Sequence, residues 1–342
     1  MASDEPQTEE VADGITRITL PKREGLPEPA DADNNVYLVD GEAPALINAG
    51  HPAQFESLAK AVQSVDSTVD IGTIDRIIHT SWSVETLAGS KNFPDVDHFV
   101  ASDDMVAPRR YASIVEDRRR QLFNFADGLL AEEPFADKDR GDLEAFAERY
   151  YPALPDEIDF IPLRSGHVVR AGERRLEVIG SPGPTPGHVC LYDNADKILF
   201  TGDFTLSGMP DQIDDVQSYF VSLERLVELD SERLLPNRGK PRRRGKWTLK
   251  NAHRFINNFM SHAPEAMFDE PTLAEFVFQD WGRVPDDFAE IVLKAEIYRK
   301  LLDELVRSRM IEAEGDGFER KYGTDVEDPR EEVRQGGPSP PK

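Results

Sequence analysis

Ile77 to Gly89 reads IIHTSWSVETLAG, an apolar pair that ends abruptly in a polar loop closed by a glycine. Ile77 and Ile78 running into Thr80 and Ser81 fit a buried strand that delivers a loop to a sheet edge, where α/β proteins place their chemistry. Short apolar runs with the same polar exit occur again further along. KILFTGDFTLSG, residues 197 to 208, leaves its strand on Thr201-Gly202-Asp203, and SPGPTPGHVCLYD, residues 181 to 193, enters one through a Pro/Gly-rich loop. Asn35 to Val39 and Ala45 to Gly50 give two more strands about an Asp40-Gly41 turn.

Together these segments resemble the metallo-β-lactamase superfamily in the order the family uses. TSWSVETLAG is similar to that family's metal loop, T-H-x-H-x-D-H-x-x-G, with Ser81, Ser83, Glu85 and Thr86 standing at the His, His, Asp and His positions. SPGPTPGHVCLYD resembles T-P-G-H-T-P-G-H-V-x-L-Y, with Pro184 at the ligand histidine and His188 at the later position. LINAG carries Asn48 in place of the usual Asp. PNRG, residues 236 to 239, carries Arg238 in place of the last histidine. Asp203 alone matches a family ligand, the aspartate that bridges two metals.

The resemblance implies an α/β fold, the αββα four-layer sandwich, over residues 13 to 250, with 104 to 150 as a helical insertion. A small helical, winged-helix-like domain is expected at 251 to 323, with Gly315-Asp316-Gly317 as its wing turn. Residues 1 to 12 and 324 to 342 are polar and expected to be disordered. The insertion fits a lid over the cleft or a helical cover for the core equally well.

A hydrolytic zinc site needs several imidazole or carboxylate donors on one ion to bring its water near pKa 7, and neutral hydroxyls do not supply them. No metal or other cofactor is therefore expected, with a weakly bound divalent metal on Glu85 and Asp203 as the alternative. Arg238 is expected to pair with Glu85, replacing the charge of a metal without activating water. The cleft candidates are Ser81, Ser83, Glu85, Thr86, Asp203 and Arg238, with no catalytic role assigned to any. His51 is expected to be a solvated loop histidine.

These readings favour a non-catalytic or strongly altered family relative that acts as a binding or regulatory protein for an unknown small molecule or protein. One alternative is a working hydrolase of a thioester, lactone, phosphoester or nucleic acid with a rebuilt site. A second is a nucleic-acid-associated regulator, suggested by RGKPRRRGK, where Arg238, Lys240, Arg242, Arg243, Arg244 and Lys246 form a cationic, anion-binding strip. The family register places that strip on the cleft side. Oligomerisation is compatible with all three.

Composition bounds the setting. The 342 residues carry 65 Asp+Glu against 40 Lys+Arg, a formal net charge of −25, yet 39% are hydrophobic, enough for a core. Acidic charge spread along the whole chain fits a surface kept solvated in concentrated salt, the expectation for a halophile. Cys190 is the single cysteine, which excludes an internal disulfide and fits a reducing compartment. No apolar run is long enough to span a membrane and the first residues are acidic, so a cytoplasmic location is expected.

Overall fold

The computed structural model describes residues 5–21, 34–65, 69–104, 111–131, 135–138, 140–150, 158–210, 212–267, 271–281, 288–315 and 320–324. Two sheets face each other. The first runs in sequence order through β1 (Gln7–Ala12), β2 (Ile15–Leu20), β3 (Asn34–Val39), β4 (Ala45–Ile47), β5 (Arg76–Ile78), β6 (Asp97–Ala101) and β7 (Phe160–Leu163). The second has the order β13 (Arg242–Arg243), β12 (Arg233–Pro236), β11 (Ile198–Gly202), β10 (Val189–Asp193), β9 (Arg174–Gly180) and β8 (Val168–Ala171).

Strand alternation sorts the apolar side chains into three layers of core. Tyr37, Val39, Ala45, Ile47 and Ile78 point between the sheets and meet Val189, Leu191, Ile198, Phe200 and Leu235 from the other side. Their neighbours Val36, Leu38, Leu46 and Ile77 point outward onto α1 (Phe55–Val65) through Leu58, Ala61 and Val62. On the opposite outer face Cys190, Tyr192, Leu199 and Leu234 pack against α5 (Val216–Glu228) and α6 (Gly245–His262). Helix, sheet, sheet and helix therefore stack as the four layers expected, because each strand buried on both faces needs a cover on each.

The insertion forms α3 (Tyr111–Leu130) and α4 (Arg140–Tyr150). Leu122, Phe125, Leu129, Leu143 and Phe146 are buried in the same cluster as the C-terminal helices α7 (Leu273–Trp281) and α8 (Phe288–Arg307). Arg118 of α3 holds Glu296 of α8 through both guanidinium arms, at 2.6 and 2.7 Å. A hairpin of β14 (Glu312–Glu314) and β15 (Lys321–Gly323) follows, and the Asp316 and Gly317 of the expected wing turn lie outside the described residues.

Two boundaries differ from expectation. Residues 7–12 are an ordered edge strand, paired antiparallel with β2 from Gln7↔Thr19 to Ala12↔Ile15. Backbone pairing accounts for it, since its side chains are mostly exposed and give little apolar signal. Helix α6 begins at Gly245, six residues before the expected change at 251, so it closes the sandwich as well as opening the helical region. The tail beyond 324 lies outside the described residues.

Candidate functional site

The site sits where β4, β5, β11 and β12 end and β3 begins. Loops from the two sheets are stitched there: Asn35 Nδ2 donates to the carbonyls of Pro236 at 2.9 Å and Gly239 at 2.7 Å, and Tyr37 Oη to Pro236 at 2.7 Å. Asn48, directly after β4, adopts φ 68, the left-handed region that asparagine tolerates better than most side chains. That turn aims its amide into the site. Its Oδ1 accepts from Thr80 N at 2.9 Å and Thr80 Oγ1 at 3.2 Å, while its Nδ2 donates to Asn237 Oδ1 at 2.7 Å.

Asn237 passes the network on. Its Nδ2 donates to Asp203 Oδ1 at 2.7 Å and to Thr80 Oγ1 at 3.2 Å. The other carboxylate oxygen, Asp203 Oδ2, accepts from Ser81 Oγ at 2.5 Å and Ser83 Oγ at 3.1 Å. Thr86 Oγ1 donates to the Ser81 carbonyl at 2.6 Å and lies 3.1 Å from Ser81 Oγ, which locks the loop. Ser81 and Thr86 are fully buried. Glu85, on the short helix α2 (Val84–Leu87), turns instead to Arg238, whose Nη2 is 3.2 Å from its Oε1.

The structure thus brings Ser81, Ser83, Thr86 and Asp203 onto one network and Glu85 and Arg238 into one ion pair. Sequence reasoning missed the amide bridge of Asn48 and Asn237, whose partners are 189 residues apart. It also missed Asp104, which follows β6 and accepts from Gly187 N at 2.7 Å, Thr185 Oγ1 at 2.9 Å and Trp82 N at 3.2 Å. Burial pushes this carboxyl up to about 7, against those three donors. Asp104 ties the Ser81 loop to the Pro/Gly loop before β10.

Three histidines surround the site without opening into it. His188 Nε2 accepts from Asp203 N at 3.0 Å, so its proton is on Nδ1, 3.0 Å from the Ser181 carbonyl. His79 Nδ1 faces the Thr86 carbonyl at 2.7 Å and His98 Nε2 that of Phe93 at 2.8 Å, while His79 Nε2 and His98 Nδ1 stand 3.1 Å apart. Burial, with the neighbouring His98 ring, pushes His79 down to about 3, and burial lowers His98 as well. His51 is buried, 4% exposed, and not solvated as expected: its Nδ1 accepts from Ala53 N and caps a short 3-10 turn.

A cavity of about 240 Å³ opens over Asp203, walled by Phe204, Leu206, Met209, Arg238, Lys240 and Arg242. The cationic strip divides here. Arg242 faces this cavity, but Arg243, Arg244 and Lys246 face a separate depression. In β13 consecutive side chains point to opposite faces, so the strip cannot lie wholly on the cleft side as expected.

Residues 94–238 match the family profile described as "Metallo-beta-lactamase superfamily". The acyl-coenzyme A thioesterase MBLAC2 of Gallus gallus is 36% identical over 104 residues, 30% of this chain and 37% of that protein. This chain therefore matches little over a third of that relative's length. The beta-lactamase-like protein 2 homolog of Caenorhabditis elegans is 24% identical over 231 residues, 68% of this chain and 63% of that protein. Two solved structures share the fold: a beta-lactamase domain protein from Burkholderia ambifaria (TM-score 0.73, 19% identity, 93% of this chain and 94% of that one) and a metallo-beta-lactamase family protein from Thermus thermophilus (TM-score 0.69, 18% identity, 92% and 100%). Sandwich and loop order agree with these likenesses: residues 94–238 carry the metallo-β-lactamase superfamily profile, and the chain shares the fold of those two structures.

Proteins of this superfamily usually hold divalent metal ions. The residues at the corresponding positions here are two carboxylates, Glu85 and Asp203, three hydroxyls, a proline and an arginine; Glu85 is paired with Arg238, and His188 spends its lone pair on a backbone N–H. Among the described residues no three His, Cys, Asp or Glu side chains converge as a metal-binding group. This set does not fit a dinuclear transition-metal site, which needs imidazole or several anionic donors. Among the described residues no helix is long and apolar enough to cross a membrane.

Proposed function

We propose that this chain uses the cleft over Asp203 to bind a small molecule or a protein segment, and not to carry out metal-dependent hydrolysis. One observation carries this reading: both oxygens of Asp203 are engaged by neutral donors, Asn237 on one and Ser81 and Ser83 on the other. A carboxylate so satisfied needs no cation to offset its charge. The Glu85–Arg238 pair supports the same reading, because a guanidinium and a divalent ion at close range repel. Ser81 is fully buried and so offers no open nucleophile.

The test is hydrolysis of acyl-coenzyme A thioesters of several chain lengths, with and without added zinc or manganese. The expected result is no rate above that of buffer and metal alone. Turnover that depends on metal and disappears in Asp203→Ala overturns the reading.

A second reading is a hydrolase with a rebuilt site, favoured by the thioesterase activity that the Gallus gallus relative's name records. In it Asp203 and Glu85 would hold a hard cation such as Mg²⁺ or Mn²⁺. The same assay separates the two.

A further inference from the structure

The depression that takes Arg243, Arg244 and Lys246 lies on the opposite side of β13 from the cleft. Its other cation is Arg233, which sits directly across the ladder from Arg243. Like charges opposed in a strand pair cost stability. None of these four makes an ion pair with a described residue. Of the four carboxylates near them, Asp13, Asp196, Asp230 and Glu232, three are engaged elsewhere: Asp196 by Arg174 at 2.7 Å, and Asp230 and Glu232 by Lys197 at 2.6 and 3.6 Å, with Asp230 also within electrostatic reach of Lys246.

Trp247 completes the surface. It lines the same depression and is 62% exposed, the most exposed of the large apolar side chains among the described residues. Arg244, close to it in the chain, holds φ 60, a left-handed conformation that costs a non-glycine residue energy and fixes where its side chain leaves the backbone. Ser231 lines the depression too; it is 4% exposed, and its Oγ has no hydrogen-bond partner among the described residues. Unpaired cations beside an open aromatic face and an unused hydroxyl suit a ligand with spaced negative charges and flat rings.

We propose that Arg233, Arg243, Arg244, Lys246 and Trp247 form a binding surface for single-stranded nucleic acid, phosphates on the cations and a base stacked on the indole. Stacking on aromatic side chains with a cationic track along the backbone is how sequence-tolerant single-strand binding works. A polymer fits better than a free nucleotide, because the cations come from separate positions around a broad, open depression and not from one cluster. The local cations act within about a Debye length, beyond which the rest of the protein's negative charge is screened.

The test is fluorescence titration of the full chain with oligothymidylate on the order of twelve nucleotides, following probe anisotropy and tryptophan quenching. Folding of every variant is checked by circular dichroism at the salt used. The expected result is quenching on binding, affinity about tenfold or more weaker in Trp247→Ala, and a log–log salt slope of about −3 for four phosphate contacts. Arg243→Ala/Arg244→Ala should flatten that slope by about 1.4, while Lys240→Ala/Arg242→Ala on the other face should leave it unchanged. Absence of binding, an unaltered affinity in Trp247→Ala, equal binding of ATP, or equal competition by polyglutamate overturns the proposal.

Discussion

At the scale of single residues the site rests on one buried ion pair. Arg238 is 3.2 Å from Glu85, a side chain only 5% exposed, so truncating the arginine leaves a carboxylate buried without that partner. Arg238→Met should cost about 2–3 kcal/mol in chemical denaturation, somewhat under the loss at a fully buried pair because the arginine keeps a fifth of its exposure. Adding Glu85→Gln should restore most of it, and a double variant no better than the single one would contradict the pairing. Asp104 and His79 predict opposite pH responses. His79 is about 3 in the fold against about 6.5 unfolded, so the stability it brings is present above about 6.5 and is lost as pH falls toward 3. Asp104 is about 7 in the fold against about 3.9 unfolded, so its contribution is present below about 3.9 and is lost as pH rises through 7. In Asp104→Asn the decline toward neutral pH should shrink while the acid limb stays; an unchanged neutral limb would contradict the raised value.

At the scale of elements, the insertion and the C-terminal helices act as one block. Arg118 of α3 grips Glu296 of α8, and Lys300 of α8 reaches the Ile213 carbonyl at 2.7 Å and Asp214 at 3.5 Å, which binds that block to the loop before α5. Arg118→Ala should cost about 3 kcal/mol and raise amide hydrogen exchange in α3 and α8 before the β-sheets. Exchange rising evenly through the protein would contradict a local block. This block was only partly legible in the sequence. Apolar alternation in NVYLV and the breaks after IIHTS and LFTGD place strands and loops, because period and punctuation are local properties. The Asn48–Asn237 bridge, the Asp104 strut and the His79–His98 pair are not local: each joins side chains that only the folded sheets bring together. β1 was missed for the related reason that an exposed edge strand is held by its backbone and carries a weak apolar pattern. Division of the cationic strip follows from a two-residue strand that no pattern of charge announces.

At the scale of the whole molecule, the net charge of −25 predicts a fold that repels itself in dilute buffer. Its melting temperature should rise steadily with potassium chloride from about 0.1 M, where charges still repel across about 10 Å, to multimolar salt; a flat or falling curve would contradict the reading of the acidic surface. The central claim is that a superfamily fold has replaced the chemistry of its metal pair with neutral donors around Asp203 and an arginine beside Glu85. Its most direct test is the metal content of the full chain, measured by elemental mass spectrometry on protein purified in high salt without chelator or affinity tag. The account predicts zinc, manganese and iron far below one atom per chain in a folded protein. Near-stoichiometric metal, released together with stability on chelation, would contradict it.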